Sequence, residues 1–478
     1  LSIRRQRQMC IRDSSSKGIW KITSAGSYRF NGTGNNDAPI LIDHIDSGTV
    51  KVYLNNVNIH SADRTPPLRI TNTVHADVYI YLESSNLLQS TYINSAALQI
   101  DGTTKLIIDN SPGTNGSLTA NSSKHGTGIG SSGNSDLSPA FHIIIKGGAV
   151  TASSFRSMGI GGNNSNITIK GGLVKVSSDQ WCAIGGTKSN ITIDGGSVKA
   201  SSRTHFGIKS SSLTINGGSV TASSEEEPKE DISSNQIIIN GGSVKASSVS
   251  SSPTNDHGEK VYCCTIENLN SKKVIIDQNL KPWEPNNHQA VNPTDTNLYA
   301  WLTGEDHIVN VGTERRSYIF DSEDSESGTF SNTKRNATSD IFEFKGPRNF
   351  IYNGSSQTPS ITVNDTIKGV VNFTVKYFKE NDSTTEITEP KDVGTYIVKI
   401  DVNGGDFYNA SSGYLTNENW KFDINPGTLT PKITEHTGTY DGISYPVITI
   451  DQNTIPQNSI IAYLSLIHIS EPTRRRGI

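Results

Sequence analysis

Sulfur is scarce in this chain, which carries four cysteines and two methionines in 478 residues. Cys263 and Cys264 are adjacent and have no matched CxxC partner, so a zinc site is unsupported. Cys182 stands just before Ile184 and reads as a small buried apolar residue. Aromatic residues make up only 7% of the chain. No window keeps an apolar stripe at helical spacing, which argues against a helical fold. No apolar run of the chain body is long enough to span a membrane. There is no Ser-His-Asp set, no P-loop and no dinucleotide-binding glycine pattern, so the enzyme classes that need them are excluded. What the chain has instead is Ser, Asn, Thr and Gly, with β-branched runs punctuated by Gly and Asn. That text reads as all-β.

The two ends are set apart from the rest. Gln8 to Ser14 (QMCIRDS) can be written CAG ATG TGT ATA AGA GAC AG, and Leu464 to Ser470 (LSLIHIS) can be written CTG TCT CTT ATA CAC ATC T. Apart from the first base these strings are reverse complements, and they resemble the mosaic-end adapter of transposon-based sequencing libraries. Residues 1–14 and 464–478 are therefore read as adapter-derived and left out of fold reasoning. They hold seven arginines against Asp13 and Glu471, so the body's formal charge of −9 lies five below the chain's −4. A mildly acidic body gives a nucleic-acid partner no support. The natural ends are expected to lie beyond the sequence, so nothing about a signal peptide or an anchor follows from them.

The core of the chain repeats itself. From His142 to Ser248 it reads IIIKGGAVTASS, ITIKGGLVKVSS, ITIDGGSVKASS, LTINGGSVTASS and IIINGGSVKASS, with Gly147, Gly171, Gly195, Gly217 and Gly241 stepping by 24, 24, 22 and 24 residues. Ile160, Ile184, Ile208 and Ile232 keep the same beat, each 24 apart. A fixed period of this size marks a solenoid. In one unit Ile167 and Ile169 alternate with polar residues, Gly171-Gly172 permits a bend, Val174 and Val176 form a second strand, and Ala183-Ile184-Gly185 a third. Three short strands per turn with β-branched residues inward describe a coil of a parallel β-helix, whose coils stack at roughly 4.8 Å. The expected inner ladders are Ile145/Ile169/Ile193/Ile215/Ile239 and Val150/Val174/Val198/Val220/Val244. Upstream, VKVYL, VYIYL and KLIID occupy the slot of HIIIK, with Leu54, Leu82 and Ile108 taken as equivalent to Ile145. The longer last step is assigned to a loop from Ser122 to Pro139. Trp20 to Gly34 is expected to cap the first coil and Val274 to Asp277 to close the last.

The segments GSYRFNGTG, VKVYLNNVNIHSA, VYIYLESSNLLQS and GSLTANSSKHGTGIG, in that order, resemble the carbohydrate-binding β-helix proteins of clostridial cell surfaces, over about Gly18 to Ser248. The resemblance implies a pectate-lyase-like right-handed β-helix that binds plant polysaccharide, with calcium, rather than cleaving it. Further on, FIYNGSSQTPSITV, VNFTVKYF, DVGTYIVKIDVNGGDFYNAS and WKFDINP are similar to an MBG-type bacterial immunoglobulin-like module, through Tyr352-Asn353-Gly354 and Gly394-Thr395-Tyr396. Closely spaced alternating strands fit a β-sandwich as well. The expected order is thus a parallel β-helix at 15–253, a β-cap or small β-module at 254–340, an Ig-like β-sandwich at 341–426 and a truncated second Ig-like module at 427–463.

The candidate site lies on the strand before the glycine pair. Its outward row offers Tyr53, Tyr79 and Tyr81, whose flat apolar faces with polar tips suit sugar rings. Glu83 and Asp109, taken as one coil apart, are a candidate oxygen-ligand pair for calcium. Lys146 and Lys170 are placed to meet a uronate carboxylate. The competing reading is a solvated face with compensating charges. Trp181 and His205 share a register position on neighbouring coils, as a sugar platform if exposed and as loop core if packed. Lys175, Lys199 and Lys245 form a second outward row that reads as charged surface or as a polyanion track. EEEPKED (Glu225 to Asp231) lacks the glycine and alternation of a calcium loop and reads as solvated.

Three functions remain open at this point. One is a secreted or cell-surface adhesin that binds extracellular polysaccharide, pectin-like or cellulosic, without inserting in a membrane. Another is a calcium-dependent lyase, for which Glu83, Asp109, Lys146 and Lys170 supply the residue types. The third is a purely structural stalk.

Overall fold

The computed structural model describes residues 18–32, 37–133, 140–226, 230–269, 272–277, 296–322, 328–428, 430–435 and 448–451. Both adapter-like ends, and most of the expected second Ig-like module, lie outside them. The chain divides into two units, 1–333 and 334–478.

The first unit is built on a parallel β-helix. Strands Phe141–Ile145, Ser165–Ile169 and Asn190–Ile193 lie in parallel register, with Ile145, Ile169 and Ile193 aligned. They belong to a 16-stranded sheet that also carries the short strands Ile160–Gly161 and Ile184–Gly185. Strands Ala149–Ser154, Leu173–Ser178 and Ser197–Ser202 belong to a separate eight-stranded parallel sheet. The three series give each coil three sides. The isoleucine ladder continues through Ile215 and Ile239, the valine ladder through Val220 and Val244, and the Ile160 ladder through Ile232, all buried. Alternation puts these residues inward because successive side chains of a strand face opposite ways.

The glycine pairs form the corner between the first two sides. The second glycine has φ of +84° at Gly148 and Gly172 and +82° at Gly196, and a Cβ on Gly172 would stand 2.5 Å from the Gly148 carbonyl oxygen. Stacked corners admit no side chain there, and the left-handed backbone favours glycine independently.

At the opposite corner the paired serines of each repeat have a structural task. Ser90, Ser122, Ser154, Ser178 and Ser202 form one in-register buried column. The Ser178 hydroxyl accepts from the Trp181 N–H at 3.0 Å and donates to the Ser157 carbonyl at 2.7 Å. Ser202 repeats this with His205 N–H at 3.0 Å and the Trp181 carbonyl at 2.6 Å. The Ser178 and Ser202 hydroxyls thereby each pair two backbone groups of a half-buried turn.

Three expectations are corrected. Trp20 to Gly34 is no cap: strand Trp20–Ile22 pairs in parallel with Ile40–Ile42, and Gly26–Asn31 with Thr49–Asn55, so this segment supplies strands of the first coil. Val274–Ile276 does not close the last coil; it pairs antiparallel with His307–Val311, in a four-stranded sheet with Glu314–Ser322 and Gly328–Ser331. The upstream register is also shifted. Ile108 pairs with Ile80, and Leu82 with Asn110, because Lys105–Asn110 runs two residues further before turning than the later strands that meet a glycine pair.

Behind the last coil, Val261–Ile266 pairs antiparallel with Leu298–Thr303. Trp301 packs against the solenoid core, and its indole N–H donates to the Val244 carbonyl at 3.0 Å. This covers apolar surface at the end of the stack, beyond which no further coil follows among the described residues.

The second unit has a two-stranded sheet, Phe342–Lys345 with Ser360–Val363, and a five-stranded sheet in the order Asn349–Ile351, Leu415–Asn425, Gly394–Gly405, Val371–Lys379 and Asp382–Ile387. Phe342, Tyr396, Trp420 and Phe422 fill a common core, in which Tyr396 and Phe422 stack at 5.1 Å.

Candidate functional site

The corrected register decides what stands beside what on the outward face of the first side. One column runs Arg29, Tyr53, Tyr81 and Asp109. Backbone bonds from Lys146 N–H to Ile108 and from Lys170 N–H to Ile145, both 2.8 Å, continue it through the two lysines. The neighbouring column runs Lys51, Tyr79, Ile107 and Ile144. Six of the nine expected site residues therefore share one face: Tyr53, Tyr79, Tyr81, Asp109, Lys146 and Lys170. Glu83 lies at its edge.

The tyrosines do not offer the flat ring faces expected of them. Tyr53 and Tyr81 stack on each other at 4.9 Å and 19°, and Tyr79 and Tyr81 lie at 5.9 Å and 14°. In-register aromatic residues on adjacent coils stack at the coil spacing, so ring faces meet and ring edges and hydroxyls turn outward. Arg29 covers the far side of Tyr53 at 5.2 Å, and the Lys146 ammonium lies 5.9 Å from the Tyr79 centroid. Cations over ring faces hold such a stack in place. All three tyrosines are half-buried, and burial, then the neighbouring tyrosines and Asp109, push the Tyr81 phenol pKa up. The result is a slab of stacked rings, with Lys146 and Lys170 exposed beyond it.

The calcium pair is not assembled. Register puts Asp109 beside Tyr81 and Ser111 beside Glu83, two positions away along the strand. Glu83 is already engaged, by Arg29 Nη1 at 3.0 Å and the Ser111 hydroxyl at 3.2 Å. Asp109 accepts from the Asn110 N–H at 2.8 Å. Calcium takes six to eight oxygen ligands, and a carboxylate held by a guanidinium fits that demand poorly. Among the described residues no group of three or more His, Cys, Asp or Glu is placed to hold a metal ion.

Trp181 and His205 lie elsewhere, on the turn between the second and third sides. Their rings sit at 4.9 Å and 37°, half-buried, and the Thr204 hydroxyl is 2.9 Å from His205 Nδ1. The Trp181 indole nitrogen is buried without a hydrogen-bond partner. This pair packs into the turn and is not continuous with the tyrosine face. Lys175, Lys199 and Lys245 do form an outward row on the second side, interrupted by Thr221.

Arg29 was missed in the sequence, although it stands 24 residues before Tyr53 and so keeps the solenoid beat. Further along the column Asn216 donates to Asp194 and Asn240 to Asn216, each at 2.9 Å, and Asn240 Oδ1 accepts from the Asp256 N–H at 2.8 Å.

A family described as "Carbohydrate-binding domain-containing protein" matches residues 16–103, and the family "Beta helix repeat" matches residues 213–224. The first match contains Arg29, Tyr53, Tyr79, Tyr81 and Glu83; the second lies in the regular coils. No curated protein and no solved structure matches the chain. The first unit contains a parallel β-helix, and its opening coils match a carbohydrate-binding family. No helix among the described residues is long and apolar enough to cross a membrane.

Proposed function

We propose that this chain is a secreted or surface-displayed adhesin-like protein that binds polysaccharide along the tyrosine face of its β-helix. The observation that carries this is the coincidence of the tyrosine stack, Tyr53, Tyr79 and Tyr81, with the residues matched by the carbohydrate-binding family. A polymer lying along the axis meets hydroxyls and ring edges at coil intervals, then the ammonium groups of Lys146 and Lys170. Hydroxyl-rich slabs suit saccharides, whose own hydroxyls pair with them while C–H groups lie against ring edges. The β-module of the second unit serves in this reading as a spacer that displays the solenoid. Calcium is not required for this mode of binding, because the contacts come from hydroxyls, ring edges and ammonium groups while Glu83 is paired with Arg29 and Ser111.

The test is retention of the full chain on insoluble pectic and cellulosic polymers, washed with and without chelator. Binding that survives chelator and leaves the polymer uncut supports the reading. Release of unsaturated ends absorbing in the ultraviolet replaces it with lyase activity, and absence of retention on every polymer leaves a structural stalk.

A further inference from the structure

A second recess opens on the same matched segment but on the third side of the coils. Arg64 and Tyr92 stand on successive turns, while Arg69 and Gln99 face outward on the short strands Leu68–Ile70 and Leu98–Ile100, directly paired. With Ile93 and Ser95 they line a cleft of about 350 Å³.

Each arginine is anchored by its inner nitrogen. Arg64 Nε donates to the Tyr92 hydroxyl at 3.1 Å, and Arg69 Nε donates to Asp101 Oδ2 at 2.6 Å. Asp101 is itself fixed by Gln99 Nε2 at 2.7 Å, and Gln99 Oε1 accepts from the Ala96 N–H at 3.3 Å. Among the described residues the terminal nitrogens of both guanidinium groups have no protein partner. Asp101 balances the charge of Arg69, and the Asp63 carboxylate is the sequence neighbour of Arg64. Asp63 accepts from the Ser61 hydroxyl at 3.2 Å and the Thr65 N–H at 2.8 Å. Ser95 is 2% exposed and belongs to the wall of the cleft. Ile93 stands 50% exposed at the rim, an apolar lip for the C–H face of a ring.

We infer that this cleft is a second saccharide subsite, selective for a sugar that carries an anionic oxygen group, a carboxylate or a sulfate ester. The inference rests on the polysaccharide-binding reading and assigns it an acidic ligand at a place separate from the tyrosine face. Planar guanidinium ends present parallel N–H donors that match two oxygens of one anionic group, which a lysine ammonium does not. Anchoring through Nε fixes those ends in advance and lowers the ordering cost of binding.

Isothermal titration of the full chain with three oligosaccharides of equal length, one uronate, one sulfated and one neutral, tests it. The double variant Arg64→Gln/Arg69→Gln keeps hydrogen-bonding partners for Tyr92 and Asp101 and removes the charge. Affinity for the acidic oligomer is expected to fall roughly ten- to a hundredfold, with neutral-oligomer affinity and the melting temperature unchanged. Arg64→Lys/Arg69→Lys, which keeps charge and loses the fork, is expected to fall in the same direction. Which of the two acidic oligomers binds identifies the source of the anionic group. Equal acidic-oligomer binding by wild type and the double variant overturns the cleft while leaving the polysaccharide reading standing. So does an equal loss on the neutral oligomer, or a wild type that prefers the neutral one. No binding of any oligomer, together with no retention on insoluble polymers, overturns both.

Discussion

Gly172 holds φ at +84° and has the Gly148 carbonyl oxygen where its Cβ would stand. Gly172→Ala is therefore expected to cost about 1–3 kcal/mol from the backbone conformation alone, with more from the displaced coil, read as a lowered melting temperature. Ser178→Ala strands the Trp181 N–H and the Ser157 carbonyl together. Its cost is expected at about 1–3 kcal/mol per buried group left unpaired, whereas substitution of the outward Ser177, one residue earlier, should be close to neutral. The glycines were legible as text because they repeat and their chemistry is singular. The serines repeat just as strictly, yet a small polar residue reads as surface unless the turn it closes is known. Glu83 and Asp109 failed as a pair for a similar reason: their types suited calcium, but their neighbours Arg29 and Ser111 are brought in from other coils.

At the level of strands, the regular coils could be read directly, since Ile145, Ile169 and Ile193 align as their spacing demands. The irregular coils could not. Lys105–Asn110 turns without a glycine pair, and a two-residue difference in where it turns moved every outward partner by one place on that face. The antiparallel strands behind the last coil carry their own prediction. His307 is 3% exposed, with Nδ1 2.5 Å from Asp277 Oδ2 and Nε2 2.9 Å from the Thr303 carbonyl. Burial opposes the imidazolium, but the hydrogen bonds to Asp277 and Thr303 and the nearby carboxylates outweigh it and raise the His307 pKa above 6.5. A group raised on folding contributes stability that is full below its unfolded pKa and lost as pH rises through the folded one. The first unit should accordingly unfold at lower denaturant as pH climbs from below 6.5 through the raised value. His307→Gln should flatten that part of the profile; an unchanged slope in the variant would assign it to other groups.

At the level of the molecule, a stack of near-identical coils makes one long surface on each side, and the variable positions decide which surface binds. The uniform coils from His142 to Ser248 carry Lys146 and Lys170, while the opening coils carry the tyrosines, Arg29 and the carbohydrate-binding family match. Whether that face binds glycan is tested most directly by comparing the full chain with Tyr53→Ala/Tyr81→Ala in quantitative retention on an insoluble plant polysaccharide, at matched folding by circular dichroism. The expected result is a loss of roughly tenfold or more in affinity, the scale of one to two lost hydrogen bonds to tyrosine hydroxyls, with the polymer left intact. Retention of the double variant equal to that of wild type would contradict it.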